Sequence, residues 1–163
     1  MEKMEVLRQY FGFSSFREGQ QTLIDAVLAG RDVLGVMPTG GGKSLCYELP
    51  ALLLPGLTLV ISPLISLMKD QVMALQNAGI PAGCIHSAMS VEELREAYRD
   101  TRFGAYKILY IAPERLLTDG FCALAQELEI SLLAVDEAHC ISQWGQDFRP
   151  SYLKILDFLQ KLP

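Results

Sequence analysis

Short apolar runs separated by amphipathic stretches dominate the hydrophobic pattern of this chain. Five runs lack strict alternation of apolar and polar positions, as strands buried on both faces do: residues 32–37, 57–61, 82–86, 107–111 and 132–135. Helical spacing predicts helices over 2–10, 18–28, 43–53, 64–78, 91–102 and 151–162, with a broken helical region over 114–128. This alternation predicts an α/β fold with a parallel sheet and helices on both faces.

Composition indicates a single globular domain over residues 1–163. Half of the residues are hydrophobic and 20% are charged, so the chain is long and apolar enough to bury a sizeable core. The net charge of -5 argues against a broad basic surface for nucleic acid, although it leaves room for a local groove. The four cysteines form no C-x-x-C pair, which predicts reduced thiols and a cytoplasmic location.

One uncharged stretch is long enough to cross a membrane. Residues 49–68 contain no charged side chain. Pro50, Pro55 and Pro63 divide it into a helix end, a turn, a strand and a new helix start, which favours buried core. The N-terminus interleaves charged and apolar residues and lacks the apolar run of a signal peptide. We therefore expect no membrane partner.

A glycine-rich turn follows the first predicted strand and has the features of a phosphate-binding loop. Consecutive glycines allow successive N–H groups to point at phosphate oxygens, and the following helix offers its positive end to the same anion. Lys43 suits the β- and γ-phosphates, and the Ser44 hydroxyl suits Mg²⁺. Met37 stands where the usual pattern has its first glycine, and the alternative is a plain glycine turn before a helix. The loop residues are Thr39, Gly40, Gly41, Gly42, Lys43 and Ser44.

Two acidic residues follow the last predicted strand. Asp136 and Glu137 lie far from Lys43 in sequence, but the carboxyl ends of parallel strands share one edge of a sheet. Asp136 is suited to hold, through water, the Mg²⁺ that Ser44 also contacts, and Glu137 to orient or deprotonate the attacking water. Taken alone, the acidic pair could equally be the polar start of a loop.

The predicted helix 91–102 carries Arg95, Arg99 and Arg102 on one face. A nucleic-acid patch is one interpretation. Acidic residues are interleaved at pairing distance, which favours a solvated face with weak ion pairs between residues three and four apart.

The run Asp136-Glu137-Ala138-His139 resembles the DEAH form of the second nucleotide-hydrolysis motif of superfamily 2 helicases, and residues 38–44 resemble the first. These motors often lack the leading glycine, which accounts for Met37. Residues 11–20 resemble motif 0 of the RecQ family of DNA helicases. The resemblance implies that Phe13 stacks on adenine, that Gln20 reads its edge, and that Arg17 supports the pocket. The alternative for the aromatic residue is a core anchor.

Further segments are similar to RecQ motifs that line the path of single-stranded DNA. Residues 62–71 resemble motif Ia and imply that Ser62 contacts a phosphate. Residues 112–116 resemble motif Ib, where Arg115 contacts phosphate or pairs with a nearby acid.

The aromatic-rich segment 139–150 matches a RecQ loop thought to relay DNA engagement to the hydrolysis site. Its side chains offer π faces and a cation to unstacked bases. His139 is expected to link that loop to the nucleotide site; the alternative for the aromatics is packing of the loop onto the domain. The residues concerned are His139, Trp144, Phe148 and Arg149.

The resemblance implies the N-terminal part of the first RecA-like motor lobe, a truncated ATP-binding domain, of a 3′-5′ DNA helicase of the RecQ type acting in DNA repair and recombination. ATP and Mg²⁺ are the implied cofactors. Single-stranded and duplex DNA and a second RecA-like lobe are the implied partners, with association with the nucleoid if the source is bacterial. The lobe alone is not expected to unwind DNA, and its oligomeric state is not indicated. The rival hypotheses are a non-catalytic nucleotide- or DNA-binding module and a phosphate-loop ATPase that does not act on DNA.

Overall fold

The computed structural model of the chain describes residues 2–31, 43–62 and 65–135. These residues divide into two units, Met1–Pro55 and Gly56–Pro163. Predictions that concern residues 32–42, 63–64 and 136–163 lie outside the described residues. They include the strand 32–37, most of the phosphate loop, and the helix 151–162.

Three helices make up the described part of the first unit: α1 (Lys3–Phe11), α2 (Gln20–Leu28) and α3 (Leu45–Leu53). Both α1 and α2 contact α3. Helix α1 ends at Gly12, whose φ of 73° is a left-handed conformation and whose N–H donates to the carbonyl of Leu7. The core of this unit consists of Val6, Leu7, Ile24, Leu45 and Leu49.

A four-stranded parallel sheet forms the second unit. Its strands are β1 (Leu57–Ile61), β2 (Ala82–Ile85), β3 (Ile108–Ile111) and β4 (Ile130–Val135), in the order β2-β3-β1-β4. The connections contain α4 (Ile65–Asn77), α5 (Val91–Arg102), a 3-10 turn (Pro113–Arg115) and α6 (Asp119–Gln126). Strands joined through helices in this way give the parallel pairing that the sequence predicts.

Both faces of the sheet centre are covered. Strands β1 and β3 are buried at every position. On one face, Leu59, Ile61 and Leu109 pack with Phe121 and Leu124 of α6. Helix α4 contacts β2, and its Gln76 Nε2 donates to the carbonyl of Ala82 at 2.9 Å. The buried residues of α4 stand outside the cluster that contains α6: Met68, Val72 and Leu75. The α/β prediction with helices on both faces is confirmed.

Element bounds agree closely with the sequence-based ranges where the chain is described. Strand β1 and helix α5 have the predicted limits, and the broken region 114–128 separates into the 3-10 turn and α6. Strand β4 begins two residues earlier than predicted because Ile130 already pairs with Leu57 beside an irregularity in the register. Residues 49–68 divide into the end of α3, β1 and the start of α4. No helix in the described ranges is long and apolar enough to cross a membrane. The prediction of one domain over 1–163 stays a prediction.

Candidate functional site

Lys43 and Ser44 lie directly before α3, as a phosphate-binding loop requires. Lys43 is exposed, and Ser44 has helical φ and ψ angles of -63° and -31°. Its carbonyl accepts the N–H groups of Tyr47 and Glu48 at 3.2 and 2.9 Å, but its hydroxyl does not cap the helix. The N–H groups of Ser44 and Leu45 donate to no acceptor among the described residues. Unused donors at a helix start, next to a lysine and a hydroxyl, fit a phosphate with its metal ion.

The surroundings of this turn disfavour the thiolate form of its cysteine. Cys46 is half-buried in the first turn of α3, and burial raises the pKa of its thiol above the usual value. Since only the thiolate is a strong nucleophile, Cys46 has no activated chemistry of its own. The phosphate-loop residues Thr39, Gly40, Gly41 and Gly42 lie outside the described residues.

Phe13 faces solvent while the aromatic residues on either side of it pack inward. Phe11 and Phe16 contact the core of the first unit, whereas Phe13 is 51% exposed. The left-handed Gly12 directs the chain away from the helix, and the N–H of Phe13 donates to Leu7 O at 3.3 Å. Phe13 is therefore not a core anchor, and its ring is accessible. Stacking on adenine stays a prediction.

Gln20 and Arg17 form a reciprocal pair at the start of α2. The N–H of Arg17 donates to Gln20 Oε1 at 2.7 Å, and the N–H of Gln20 donates to Arg17 O at 3.1 Å. Gln20 is only 3% exposed. The structure thus brings two predicted pocket residues together and fixes the amide oxygen of Gln20 against the backbone. Reading of the adenine edge by Gln20 is untested.

All four strands of the second unit end at the same level, which forms one carboxyl edge. Ile85 pairs with Ile111, Ile111 with Ile61, and Ile61 with Val135. The residue after Val135 is Asp136, so the acidic pair follows this edge in sequence. Six predicted residues after β4 lie beyond the described ranges: Asp136, Glu137, His139, Trp144, Phe148 and Arg149.

Ser62 lies at this edge but is buried beneath it. It is 2% exposed, and its N–H donates to the carbonyl of Ile111 at 3.1 Å. The backbone donor of Ser62 is therefore used by the neighbouring strand rather than presented to a ligand. The predicted contact between Ser62 and phosphate has no test in these observations.

Arg115 follows β3 at the same edge and is held by a tyrosine. Its Nη2 donates to the hydroxyl of Tyr98 at 3.2 Å, and its buried Nε has no hydrogen-bond partner. No carboxylate within the described ranges pairs with this guanidinium. Tyr98 in turn packs edge-to-face on Phe121, with ring centroids 6.3 Å apart. The local acid pair considered from the sequence is thus absent from the described part, and the phosphate contact stays a prediction.

His86 is an edge residue that sequence reasoning passed over. It follows β2, is buried, and its Nδ1 accepts the N–H of Ala88 at 3.2 Å. Burial lowers the pKa of His86, and the nearby charge of Lys69 lowers it further, against the opposing effects of Glu93 and Glu114. The available signal was a polar residue at the end of an apolar strand, but the predicted strand included it as its last residue. Tyr98 had no signal in the sequence.

Comparison with known proteins agrees with these features. A family model described as DEAD/DEAH box helicase matches residues 17–163. The chain is 54% identical over 151 residues to the ATP-dependent DNA helicase RecQ of Bacillus subtilis, which covers 92% of this chain and 26% of that protein. It is 51% identical over 152 residues to the protein of the same name in Haemophilus influenzae, covering 93% of this chain and 25% of that protein.

A solved structure supports the fold. The hypothetical ATP-dependent RNA helicase from Sulfolobus tokodaii superposes with a TM-score of 0.70 at 22% identity, over 97% of this chain and 45% of that chain. The chain spans about a quarter of the length of the curated relatives it matches. The RecA-like parallel sheet and the lysine and serine before α3 agree with the family match, which covers nine-tenths of the sequence. The chain therefore belongs to the DEAD/DEAH box helicase family.

Proposed function

We propose that this chain is the ATP-binding first motor lobe of a RecQ-type DNA helicase that moves 3′ to 5′ along single-stranded DNA. The observation that carries the proposal is identity of 51% to 54% with RecQ helicases over more than nine-tenths of the chain. The turn before α3 supports it, because a lysine and a serine precede the helix there and the N–H groups of Ser44 and Leu45 donate to no acceptor among the described residues. In the proposed role, ATP hydrolysis drives strand separation during DNA repair and recombination.

The proposed nucleotide-binding residues lie in the loop before α3 and in the segment after β4. The loop Thr39–Ser44 holds the phosphates, and Lys43 contacts the β- and γ-oxygens. Ser44 and, through water, Asp136 hold Mg²⁺, which when bound neutralises charge on the phosphate oxygens. Glu137 orients or deprotonates the attacking water. Phe13, Arg17 and Gln20 form the adenine pocket; the exposed ring of Phe13 supports this role.

The proposed DNA path crosses the carboxyl edge of the sheet. Ser62 and Arg115 belong to its turns, and a phosphate contact is supported by Arg115, which pairs with no carboxylate within the described ranges. In the proposed role, the loop that carries Trp144, Phe148 and Arg149 grips unstacked bases, and His139 relays this contact to the nucleotide site. A second RecA-like lobe supplies the remaining half of the site, and DNA as substrate implies work at the nucleoid. An ATPase that does not act on DNA is not favoured, because the relatives at 54% and 51% identity are named DNA helicases.

The test is ATP hydrolysis with and without single-stranded DNA, measured on a chain of the relatives' full length that contains these residues. We expect stimulation by DNA and a loss of about 100-fold or more in kcat for Lys43→Ala, the order found when one charge-stabilising donor is removed. Trp144→Ala is expected to reduce the stimulation. Lys3→Ala changes the net charge equally and is the control, because Lys3 pairs with Asp25 and belongs to no predicted site. If the unaltered chain hydrolysed ATP at the same rate with and without DNA, the helicase proposal would be wrong.

A further inference from the structure

Three arginines of helix α5 share one exposed side, and acidic residues border it. Arg95, Arg99 and Arg102 follow one another at four- and three-residue spacing on an exposed side, which we call the basic flank. Ala97 and Thr101 occupy the buried side. Glu93 completes a capping box with Ser90.

The basic flank lacks the ion pairs that the sequence favoured. Arg95 and Arg99 form no ion pair or hydrogen bond through their side chains within the described ranges. Arg102 Nε lies 2.9 Å from Glu127 Oε2, but these side chains are 50% and 57% exposed. Exposed pairs of this kind contribute about 0–1 kcal/mol and exchange readily for another anion. The flank therefore presents largely uncompensated guanidinium groups.

Arg115 adds a fourth cation beside this flank. Its Nη2 donates to the hydroxyl of Tyr98, a residue that stands three positions after Arg95 and four before Arg102 on α5. Residues at these spacings are neighbours on a helix surface. A phenol hydroxyl supports the guanidinium without cancelling its charge. The flank thus adjoins the 3-10 turn Pro113–Arg115 at the carboxyl edge of the sheet.

The dimensions of the flank match a nucleic-acid backbone. From Arg95 to Arg102, α5 rises by roughly 10 Å. Each nucleotide of a DNA strand carries one phosphate, so a strand that lies along the flank can bring more than one phosphate to these arginines. The net charge of -5 makes a run of uncompensated cations on this chain distinctive.

We infer that the basic flank of α5 binds phosphates of the DNA strand that passes the turn at Pro113–Arg115. The inference rests on the proposed function, and it adds a contact outside the motif turns and the aromatic-rich loop. Arg95 and Arg99 contact the backbone and read no bases. Glu92 and Glu96 border the flank and weaken its field at a distance, so the contact is short-range and sensitive to salt.

The test is binding of a fluorescent oligo-dT strand, followed by anisotropy at several salt concentrations, to a chain of the relatives' full length that contains these residues. For Arg95→Gln/Arg99→Gln we expect affinity to fall several-fold. The slope of log affinity against log salt should fall by about 1.4, since each single-strand phosphate contact contributes about 0.7. Arg95→Lys/Arg99→Lys should keep most of the slope. Arg8→Gln/Arg31→Gln is the matched control, because both arginines are exposed and lie in the other unit.

Each outcome decides the inference. A loss confined to the α5 glutamine pair supports it. Equal losses in both glutamine pairs would mean that only net charge matters, and unchanged binding by the α5 pair would mean that the flank touches no phosphate. Either result overturns the inference while binding by the unaltered chain leaves the proposed function standing. Absence of binding by the unaltered chain contradicts both. Circular dichroism of each variant confirms that α5 still folds.

Discussion

Two side chains at the carboxyl edge of the sheet are held by neutral partners instead of opposite charges. Arg115 donates to the hydroxyl of Tyr98, and His86 Nδ1 accepts the N–H of Ala88. Neither bond cancels a charge. Arg115 therefore remains able to attract an anion, and His86 remains able to bind a proton.

The bond from Ala88 gives His86 a defined effect of pH on stability. Protonation of Nδ1 turns the acceptor into a donor and breaks this bond. Because burial lowers the pKa of His86 in the folded state below 6.5, the unfolded chain binds the proton more tightly. Neutral His86 therefore contributes fully to the free energy of unfolding above pH 6.5. This contribution is lost as the pH falls through the pKa of His86 in the folded state.

We expect the free energy of unfolding, measured in urea between pH 5 and 8, to decline on the acidic side of about pH 6.5. His86→Asn is the informative variant, because its Oδ1 can accept the same N–H two residues on and does not titrate. The difference between the two curves isolates His86 from the other histidine, His139. An identical acidic decline in His86→Asn would assign the effect to other groups.

Sequence identifies residues at this scale better than it identifies their surroundings. The helix after Lys43 and Ser44 was predictable because its apolar spacing and the glycine-rich turn before it are local features. The burial of Ser62 was not, since its N–H is taken by Ile111, which lies on a strand some 50 residues later in the chain. The partner of Arg115, Tyr98, is also non-local in sequence.

Strand β2 packs closely against the segment before β3 because a glycine in β2 leaves room for a neighbouring ring. Gly83 sits in the middle of β2, and a Cβ added there would lie 2.6 Å from Cζ of Tyr106. The Tyr106 ring packs against the core of the second unit, and its hydroxyl donates to Asp100 Oδ2 at 3.3 Å. The ring is thus held from both ends and has little room to move.

We expect Gly83→Ala to lower the free energy of unfolding by about 1–3 kcal/mol, the usual cost of overpacking a filled site. Urea denaturation measures the change. The clash involves the outer end of the ring, so Tyr106→Leu in the same chain should recover part of the loss. Strictly additive effects in the double variant would mean that Tyr106 moves aside freely.

Elements were predictable where their signals are local. Ser90 and Glu93 form the capping box that fixes the start of α5, and the apolar run of β1 sets its limits. Gly83 was also a readable signal, because glycine inside a strand indicates close approach of another group. The order β2-β3-β1-β4 could not be predicted, since the residues of a strand do not specify which strands pair with it.

Among the four described strands of the molecule, burial is concentrated on two central ones. Strands β1 and β3 are buried at every position, whereas β4 is only half-buried along its length. Amides that open only when the whole unit unfolds exchange most slowly. The sheet should therefore show a gradient of protection that falls from its centre towards β4.

Hydrogen exchange followed by mass spectrometry tests this gradient. We expect peptides covering Leu57–Ile61 and Ile108–Ile111 to exchange about tenfold or more slowly than Ile130–Val135, since about 1.4 kcal/mol of opening free energy corresponds to each factor of ten. The peptide covering α1 provides a reference from the other unit. Protection of β4 equal to that of β1 would mean that its outer edge is as well covered as the centre.

The central position of β1 in the sheet also affects the chain while it is being synthesised. Its residue Thr58 pairs with Ile108 of β3 and with Leu132 of β4, both of which are synthesised later. At about 5–20 residues per second, roughly 50 residues separate β1 from its first partner by about 2.5–10 seconds. During that interval an apolar strand leaves the ribosome with both edges unpaired. The order of strands in the sheet therefore makes the nascent chain most prone to aggregation before β3 appears.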